Sequence, residues 1–490
     1  MSILETIEGT MDRCPSAPAF LSRDGVLSYG DFRALLEAVT AEMSKHGVRA
    51  GDVVGLSMGQ SPLHCAALLA LARLGAVSVA VHPEFPMSTR ERIVAKFGVV
   101  SLVSLDGQHS VDGVRSIRLD TLSFDSHLPG THGNRLTPAP AAPCRISLTS
   151  GTTGIPKGDL LTHAQLDERV ERTMHGWLCD ETSRVMPSDI HFTMAIAVCL
   201  GVLAQGGTLV FPASSRPQDR IRALTDHAVT HAFLSQWAIS QMLPLLPEHP
   251  RAFPSLQHLR PVGSQVSDAL LERLQARWTP RVFVTYGLTE LGPVSMATPE
   301  TLANWPRSVG HRLPWVQVEV FDATGQMLPP GASGEIRVRV ERGATHYHDD
   351  PQESARKFHD GWFCTGDHGR VCEDGLIFIE GRIDDMINLE GYKVSPACVE
   401  AVLMQHPQVV DAVVFVMREG DSAACLAAAV IAGAAEIDVV ELSAYARTQL
   451  GWGSPKRLFV VPEFPRTPNG KVIRAEMASA VLRTLTAPSG

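Results

Sequence analysis

Residues 148 to 163 read Leu-Thr-Ser-Gly-Thr-Thr-Gly-Ile-Pro-Lys-Gly-Asp-Leu-Leu-Thr-His. Gly151, Gly154 and Gly158 let a backbone adopt positive φ and bring its N–H groups close to a ligand. Thr149, Ser150, Thr152 and Thr153 add hydroxyl donors, and Lys157 adds a cation. Such a collection of donors suits phosphate oxygens. It is not a Walker loop, which needs Gly-Lys-Ser/Thr opening a helix, whereas Lys157 stands between Pro156 and Gly158. A solvated Gly/Ser/Thr linker is the plain alternative, but it has no use for a Pro-Lys pair inside the run.

Four further short motifs follow in the chain: Tyr286-Gly287-Leu288-Thr289-Glu290, Thr365-Gly366-Asp367, Gly381-Arg382 with Asp385, and Pro468-Asn469-Gly470-Lys471. Glu290 offers a carboxylate oxygen, the ligand a hard cation prefers. Asp367, when ionised, only accepts hydrogen bonds and suits a pair of hydroxyls. A lone Thr-Gly-Asp or Asn-Gly-Lys is more often an ordinary turn, so the weight lies in the set.

The elements that must position these groups can be read from capping residues and periodicity. Ser28 caps a helix whose apolar face is Phe32, Leu35, Leu36, Val39 and Met43, ending by Gly47. Strands are expected at Val53–Met58, Val77–Val81 and Val99–Ser104, with helices at Pro62–Leu74 and Ser88–Phe97 between them. Strand, helix, strand at this spacing means a parallel sheet with helical crossovers. A short strand at Ile146–Leu148 then delivers the glycine loop at a carboxyl end, where open α/β sheets bind ligands, and a helix follows Thr162. A second α/β stretch follows: strands Gly207–Phe211, His231–Leu234 and Val282–Val284, the last running into a Tyr286 loop, with helices Gln218–His227 and Asp268–Trp278. Beyond Arg307 alternating strands predict an antiparallel subdomain. The final hundred or so residues read as a small α+β unit with helices at Ala397–Gln405 and Val439–Leu450.

At 490 residues and 44% hydrophobic the chain is too long for a single core and too apolar for disorder. A formal charge of −9 gives no global attraction to nucleic acid or to an anionic membrane, and neither is expected as a partner. Nine scattered cysteines without a Cys-x-x-Cys pair suggest reduced thiols and a cytoplasmic protein. The start lacks the basic and apolar runs of a signal peptide. The apolar stretch His64–Val81 is interrupted by Arg73 and Gly75, so a buried helix and strand fit it better than a membrane span.

In order and spacing the five motifs resemble, over essentially the whole chain, the adenylate-forming superfamily of acyl- and aryl-CoA synthetases, nonribosomal-peptide adenylation domains and luciferases. The resemblance implies an α/β fold: a large amino-terminal domain (1–383) of two α/β subdomains plus a β-rich subdomain, and a small mobile α+β carboxyl-terminal domain (384–490) hinged at Asp384. It also implies a two-step reaction. A carboxylic acid attacks the α-phosphate of ATP to give an acyl-adenylate, and a thiol then takes the acyl group. Coenzyme A is the first choice of acceptor, and a carrier-protein phosphopantetheine is the alternative. A catalytically idle, nucleotide-binding regulator is a rival of another class.

Site roles follow from the same resemblance. Thr149, Ser150, Gly151, Thr152, Thr153, Gly154 and Lys157 would embrace the β- and γ-phosphates, and Glu290 would hold Mg²⁺. Thr289 would donate to the α-phosphate, and Tyr286 and Gly287 would face adenine. Asp367 and Arg382 would hold the ribose, and Lys471 would reach the α-phosphate and the substrate carboxylate. His191, Phe192, Ser235, Gly263, Ser264 and Gly287 would line the acid pocket. With His191 where amino-acid-activating domains carry Asp, a non-amino acid is favoured, although Asp189 is nearby. Three departures stand out: Asp159 replaces a small apolar residue, Phe233-Leu234-Ser235-Gln236 lacks the proline common at that strand end, and residues 343–350 are short and polar. His346, His348 and Asp350 in that segment could suggest a metal, but a solvated loop is expected.

Overall fold

A computed structural model describes residues 2–105, 110–120, 138–149, 156–247, 251–263, 266–385, 387–389, 392–417, 425–433, 437–466 and 472–486. Ser150, Gly151, Thr152, Thr153, Gly154, Ser264, Gly391 and Lys471 lie outside the described residues.

The chain opens with helix α1 (Ile3–Arg13), strands β1 (Pro18–Ser22) and β2 (Gly25–Ser28), and helix α2 (Tyr29–Lys45). Ser28 and Asp31 form a reciprocal capping box at the start of α2, as the sequence suggested. The first α/β unit comprises β3 (Val53–Ser57), α3 (Pro62–Leu74), β4 (Val77–Ala80), α4 (Met87–Phe97), β5 (Ser101–Ser104), β6 (Arg115–Arg118), β7 (Pro143–Thr149), β8 (Lys157–Thr162) and α5 (His163–Met174). Its sheet runs β6-β5-β3-β4-β7-β8, parallel except for β8. Ser61 caps α3, Pro62 opens it, and Gly75 in the left-handed region (φ 68°) closes it. Arg73, awkward in so apolar a helix, is buried against Glu8 of α1 at 2.7 Å. Among the described residues no helix is long and apolar enough to cross a membrane.

The second unit contains β9 (Arg184–Met186), α6 (Thr193–Gln205), β10 (Thr208–Val210), α7 (Pro217–Asp226), β11 (His231–Ser235), α8 (Gln236–Met242), β12 (His258–Val262) and α9 (Asp268–Arg277). Its sheet has the order β12-β11-β9-β10-β1-β2, with only β2 antiparallel. The two units share one core in which Leu36, Leu69 and Val198, from α2, α3 and α6, are buried together.

A third, wholly antiparallel sheet is built from β13 (Val284–Leu288), β14 (Gly292–Ala297), β15 (Ser308–Arg312), β16 (Val316–Phe321), β17 (Ser333–Val340), β18 (Phe358–His359), β19 (Trp362–Val371) and β20 (Leu376–Arg382). Short helices α10 (Pro299–Asn304) and α11 (Pro351–Lys357) interrupt it. The remainder holds β21 (Ile387–Leu389), β22 (Tyr392–Val394), α12 (Pro396–Leu403), β23 (Val409–Met417), β24 (Cys425–Ala432), α13 (Val439–Leu450), β25 (Arg457–Val460) and α14 (Met477–Thr486). The α/β and α+β classes expected from sequence are therefore observed, and the nine cysteines are all free thiols.

Two local expectations are corrected. The glycine loop does not pass from a strand straight into a helix. It joins β7 to an antiparallel return strand, β8, with Thr149 opposite Lys157 and Ser147 opposite Asp159. Gly158 therefore serves packing rather than loop freedom, since a Cβ there would lie 2.6 Å from the Phe97 ring. Likewise Tyr286, Gly287 and Leu288 are part of strand β13, paired with β14, and the antiparallel sheet begins there rather than beyond Arg307. Only Thr289 and Glu290 occupy the turn.

A buried histidine in the second unit sets an acid limit on this fold. His258 on β12 stacks flat on Phe283, ring centroids 3.9 Å apart, beside buried Arg260. Burial first, then the charge of Arg260, lowers its pKa to about 2. A histidine held neutral in the folded state contributes stability above its unfolded value near 6.5 and loses it as pH falls below that value. The loss is about 1.4 kcal/mol per pH unit. His258→Phe should reduce the fall in the urea unfolding midpoint between pH 6.5 and 5 by that one-proton slope. An unchanged slope would show that His258 titrates freely in the fold.

Candidate active site

The site begins at strand ends. In the second sheet β9, β11 and β12 are adjacent and parallel, with Ala232 opposite Met186 and Ser235 opposite Val262. Their carboxyl ends deliver the Asp189–Phe192 turn, Ser235 and Gly263 to one edge, the position where α/β sheets bind ligands. Gly263 has φ 97° and open space where a side chain would be. Ser235 is already engaged as the cap of α8, its hydroxyl accepting the Ala238 N–H at 3.1 Å. Phe192 precedes α6, and Met194 in its first turn reaches to 3.1 Å of the position a Cβ on Gly287 would take. Four of the six acid-pocket candidates are described around this edge, and Gly287 joins them through Met194.

The third sheet brings a second group together. The Tyr286 hydroxyl donates to Asp367 Oδ2 at 2.6 Å, and Arg382 Nη1 donates to Asp367 Oδ1 at 3.0 Å. Asp367 and Arg382 are cross-strand neighbours on β19 and β20, which is why residues fifteen apart in sequence meet. Arg382 also donates to the Thr365 carbonyl at 2.9 Å, so its guanidinium is fixed on both sides. Asp384 is exposed and 4.0 Å from Arg382. Lys357 is buried with its amine close to Gly366, and burial first, then Arg382, lowers its pKa. Nothing in the sequence singled out this lysine.

A third group surrounds Tyr347. Its hydroxyl donates to Glu290 Oε1 at 2.6 Å, and Lys157 Nζ lies over its ring, 5.4 Å from the centroid. Lys157 is paired at 2.5 Å with Glu353, on α11. Arg356 first and then Lys157 hold the Glu353 carboxyl down at about 2. The polar segment 343–350 is thus not a plain solvated loop: Tyr347 is buried, and His348 N–H donates to the Gly158 carbonyl at 2.7 Å, tying the segment to β8. A metal at His346, His348 and Asp350 finds no support; among the described residues the group spaced for one is His82, Asp189 and His191.

Behind Glu290 sits a buried ion pair. Arg169 of α5 donates to the carbonyls of Thr289 and Glu290, the latter at 2.9 Å, and lies 3.6 Å from the Asp159 carboxylate. Burial, reinforced by Glu290 and opposed by Arg169, raises the Asp159 pKa to about 7. The residue that looked out of place in the glycine motif therefore has a partner ten residues on. That partner grips the backbone of the Thr289–Glu290 turn.

The donor chemistry fits a magnesium–nucleotide complex. Glu290 is a hard oxygen ligand, Lys157 a half-buried cation, and the Thr149 hydroxyl at the end of β7 is buried with no partner among the described residues, as expected of a group that meets an acceptor on binding. Lys157, Thr149, Glu290, Tyr286, Asp367 and Arg382 are accordingly gathered around β7, β13 and β19.

Comparisons with known proteins identify the family. The sequence model of the AMP-binding enzyme family matches residues 7–348, and that of the AMP-binding enzyme C-terminal domain matches residues 398–471. The chain is similar to 4-chlorobenzoate–CoA ligase of Arthrobacter sp., 27% identical over 96% of this chain and 93% of that one. It is 31% identical to pyochelin synthetase PchF of Pseudomonas aeruginosa over 83% of this chain, a match spanning 23% of that larger protein. The structure superimposes on amide bond synthetase McbA from Marinactinospora thermotolerans with a TM-score of 0.83 and 25% identity, covering 98% and 99% of the two chains. The chain belongs to the AMP-binding enzyme family.

Proposed function

We propose that the protein activates a carboxylic acid, aryl or acyl and not an α-amino acid, with MgATP, and passes the acyl group from the resulting adenylate to the thiol of coenzyme A. The observation that carries this reading is two contact groups joined through β13 and the turn after it: Tyr286 with Asp367 and Arg382 on one side, and Glu290 with Tyr347 and Lys157, which pairs across from Thr149, on the other. A carboxylate needs no general base near neutral pH, and the barrier is bringing an anion to a triphosphate. Lys157 and the glycine loop would neutralise the β- and γ-phosphates, and Glu290 would hold Mg²⁺, which supplies charge stabilisation when bound. Asp367, braced by Tyr286 and Arg382, would orient the ribose hydroxyls. Thr289 would meet the α-phosphate from a turn that Arg169 holds.

Asp189 does not supply the anion that an α-ammonium needs. Its two oxygens take hydrogen bonds from His82 and His191, which supports a non-amino acid. The domain division near residue 383 and a hinge at Asp384 fit the end of β20 at Arg382 and the start of the C-terminal family match at 398. Rotation about that hinge would bring Lys471 to the acid for the first half-reaction and remove it for the second.

The test is acid-dependent pyrophosphate release with MgATP and a panel of aryl, aliphatic and amino acids, each with coenzyme A, an amine or no acceptor. Turnover requiring both an acid and coenzyme A is expected. A single burst that coenzyme A does not relieve would indicate a carrier-protein acceptor, relief by an amine alone would indicate amide formation, and silence throughout would indicate an idle homologue.

The Lys157–Glu353 pair predicts a further result. ATP must take Lys157 from Glu353, so Glu353→Gln should lower the KM for ATP about threefold to tenfold, equivalent to roughly 0.7–1.4 kcal/mol. A KM that rises instead would show that Glu353 helps to build the nucleotide site.

A further inference from the structure

Four side chains with no place among the five motifs' roles meet at the acid end of the site: His64 of α3, His82 just after β4, and Asp189 and His191 just after β9. His64 and His82 come from the first α/β unit and Asp189 and His191 from the second. His191 and His82 have ring centroids 4.1 Å apart, and His64 and His191 5.0 Å apart, edge to face. The three histidines are buried.

Proton positions in this group can be assigned in sequence. The backbone N–H of Glu84 donates to His82 Nδ1 at 3.0 Å, so that nitrogen carries no proton and Nε2 does. His82 Nε2 therefore donates to Asp189 Oδ2, at 3.1 Å. Asp189 is held ionised, well below the usual carboxylate range, by hydrogen bonds from His191 and His82 that overcome its burial. Its Oδ1 accepts from the His191 backbone N–H at 3.0 Å and from the His191 ring at Nδ1, 2.6 Å away. An ionised carboxylate can only accept, so His191 Nδ1 carries the proton. Burial keeps the imidazole neutral, which leaves Nε2 with a lone pair.

That lone pair is buried and has no hydrogen-bond partner among the described residues, and neither does Nδ1 of His64 in the neighbouring ring. The remaining neighbour is fixed: Arg145 is directed to the Ser78 hydroxyl and the His191 carbonyl, both at 3.3 Å. An unsatisfied buried polar atom is costly, and native sites with such groups generally pair them with water, an ion or a ligand. Here two stand together beside Phe192, at the edge where the acid is expected.

We infer that His191, its tautomer set by Asp189 and His82, and His64 form a recognition subsite for a hydroxyl or amino group carried by the carboxylic acid, which donates a hydrogen bond to Nε2 of His191. The inference rests on the acid-activation reading and narrows its substrate to acids bearing a hydrogen-bond donor away from the carboxylate. An unsubstituted ring or chain of the same size leaves the acceptor buried and unpaired. A site built for a hydrogen bond rejects an analogue that lacks it far more strongly than an apolar pocket rejects an extra methyl group.

The experiment compares acid-dependent ATP–pyrophosphate exchange for benzoic acids substituted at each ring position with hydroxyl, amino or the similarly sized methyl group. At one position the hydroxy or amino acid should exceed its methyl counterpart in kcat/KM by about 100-fold or more. His191→Phe, which keeps a ring but has no acceptor, should collapse that ratio toward one without changing the KM for ATP. In wild-type protein, histidine ¹⁵N spectra should show Nδ1 of His191 protonated and Nε2 bare, with Nε2 shifting when the hydroxy acid binds and not when the methyl acid binds.

Exchange with equal rates for donor and methyl acids, or an Nε2-protonated ring, would overturn the subsite and leave acid activation standing. A preference that appears only after Zn²⁺ is added and vanishes with a chelator would assign the cluster to a metal instead. No exchange with any acid would remove both readings together.

Discussion

Lys471→Ala should lower acyl-adenylate formation by about 100-fold or more while leaving thioester formation from a supplied acyl-adenylate within a few fold of wild type. The reason is that the two half-reactions ask for different charges. Adenylation brings a carboxylate against the α-phosphate, and a cation that serves only that approach contributes in the first step alone. The match to the C-terminal domain family ends at this residue. Pyrophosphate exchange measures the first step, and a synthetic acyl-adenylate with coenzyme A measures the second. Equal loss in both would show that Lys471 supports the fold of its domain or binds the thiol substrate.

The second large effect concerns the buried pair behind Glu290. Arg169→Leu leaves Asp159 without its partner, and removing one member of such a pair typically costs about 3–5 kcal/mol. Replacing both, Asp159→Val with Arg169→Leu, removes the stranded buried carboxyl group and should return most of the thermal stability. It cannot restore the two hydrogen bonds to the carbonyls of Thr289 and Glu290. The double variant should therefore fold with a melting temperature near wild type yet show about tenfold or greater loss of kcat/KM for ATP and a raised Mg²⁺ half-saturation, with its preference among acids unchanged. Full recovery of activity along with stability would reduce the pair to a packing feature.

These residues also show what a reading of the chain alone can reach. Helices bounded by local signals were legible nearly to the residue: Ser61, Pro62 and Gly75 bracket α3 at the expected Pro62–Leu74, and α13 spans the expected Val439–Leu450. The motif residues that share a strand pair, Asp367 and Arg382, were also named in advance, because each motif is short and self-contained. Strand β8 was missed because Lys157-Gly158-Asp159 carries no β-branched or aromatic signal; its pairing with β7 is specified across the glycine loop. Asp159 was visible as an anomaly, but nothing local points to Arg169. Tyr347 lay in residues 343–350, whose polarity suggested solvent, whereas the fold turns its hydroxyl inward to Glu290. The histidine group spans 107 residues between His82 and Asp189, and no periodicity can reveal a contact of that separation.

The three neighbouring strands β9, β11 and β12 also give the molecule a practical modularity. Their ends supply the proposed acid-facing positions from one unbroken stretch of chain, Asp189 to Gly263, while the proposed nucleotide-facing positions of the antiparallel sheet begin at Tyr286. A segment exchanged between Met186 and Val284 would carry those positions into the protein as a cassette, leaving the proposed sugar and metal contacts downstream untouched. His64 and His82 lie outside that cassette, in the first α/β unit, so a transplant that ignored them would set a new floor under an old wall of the proposed pocket.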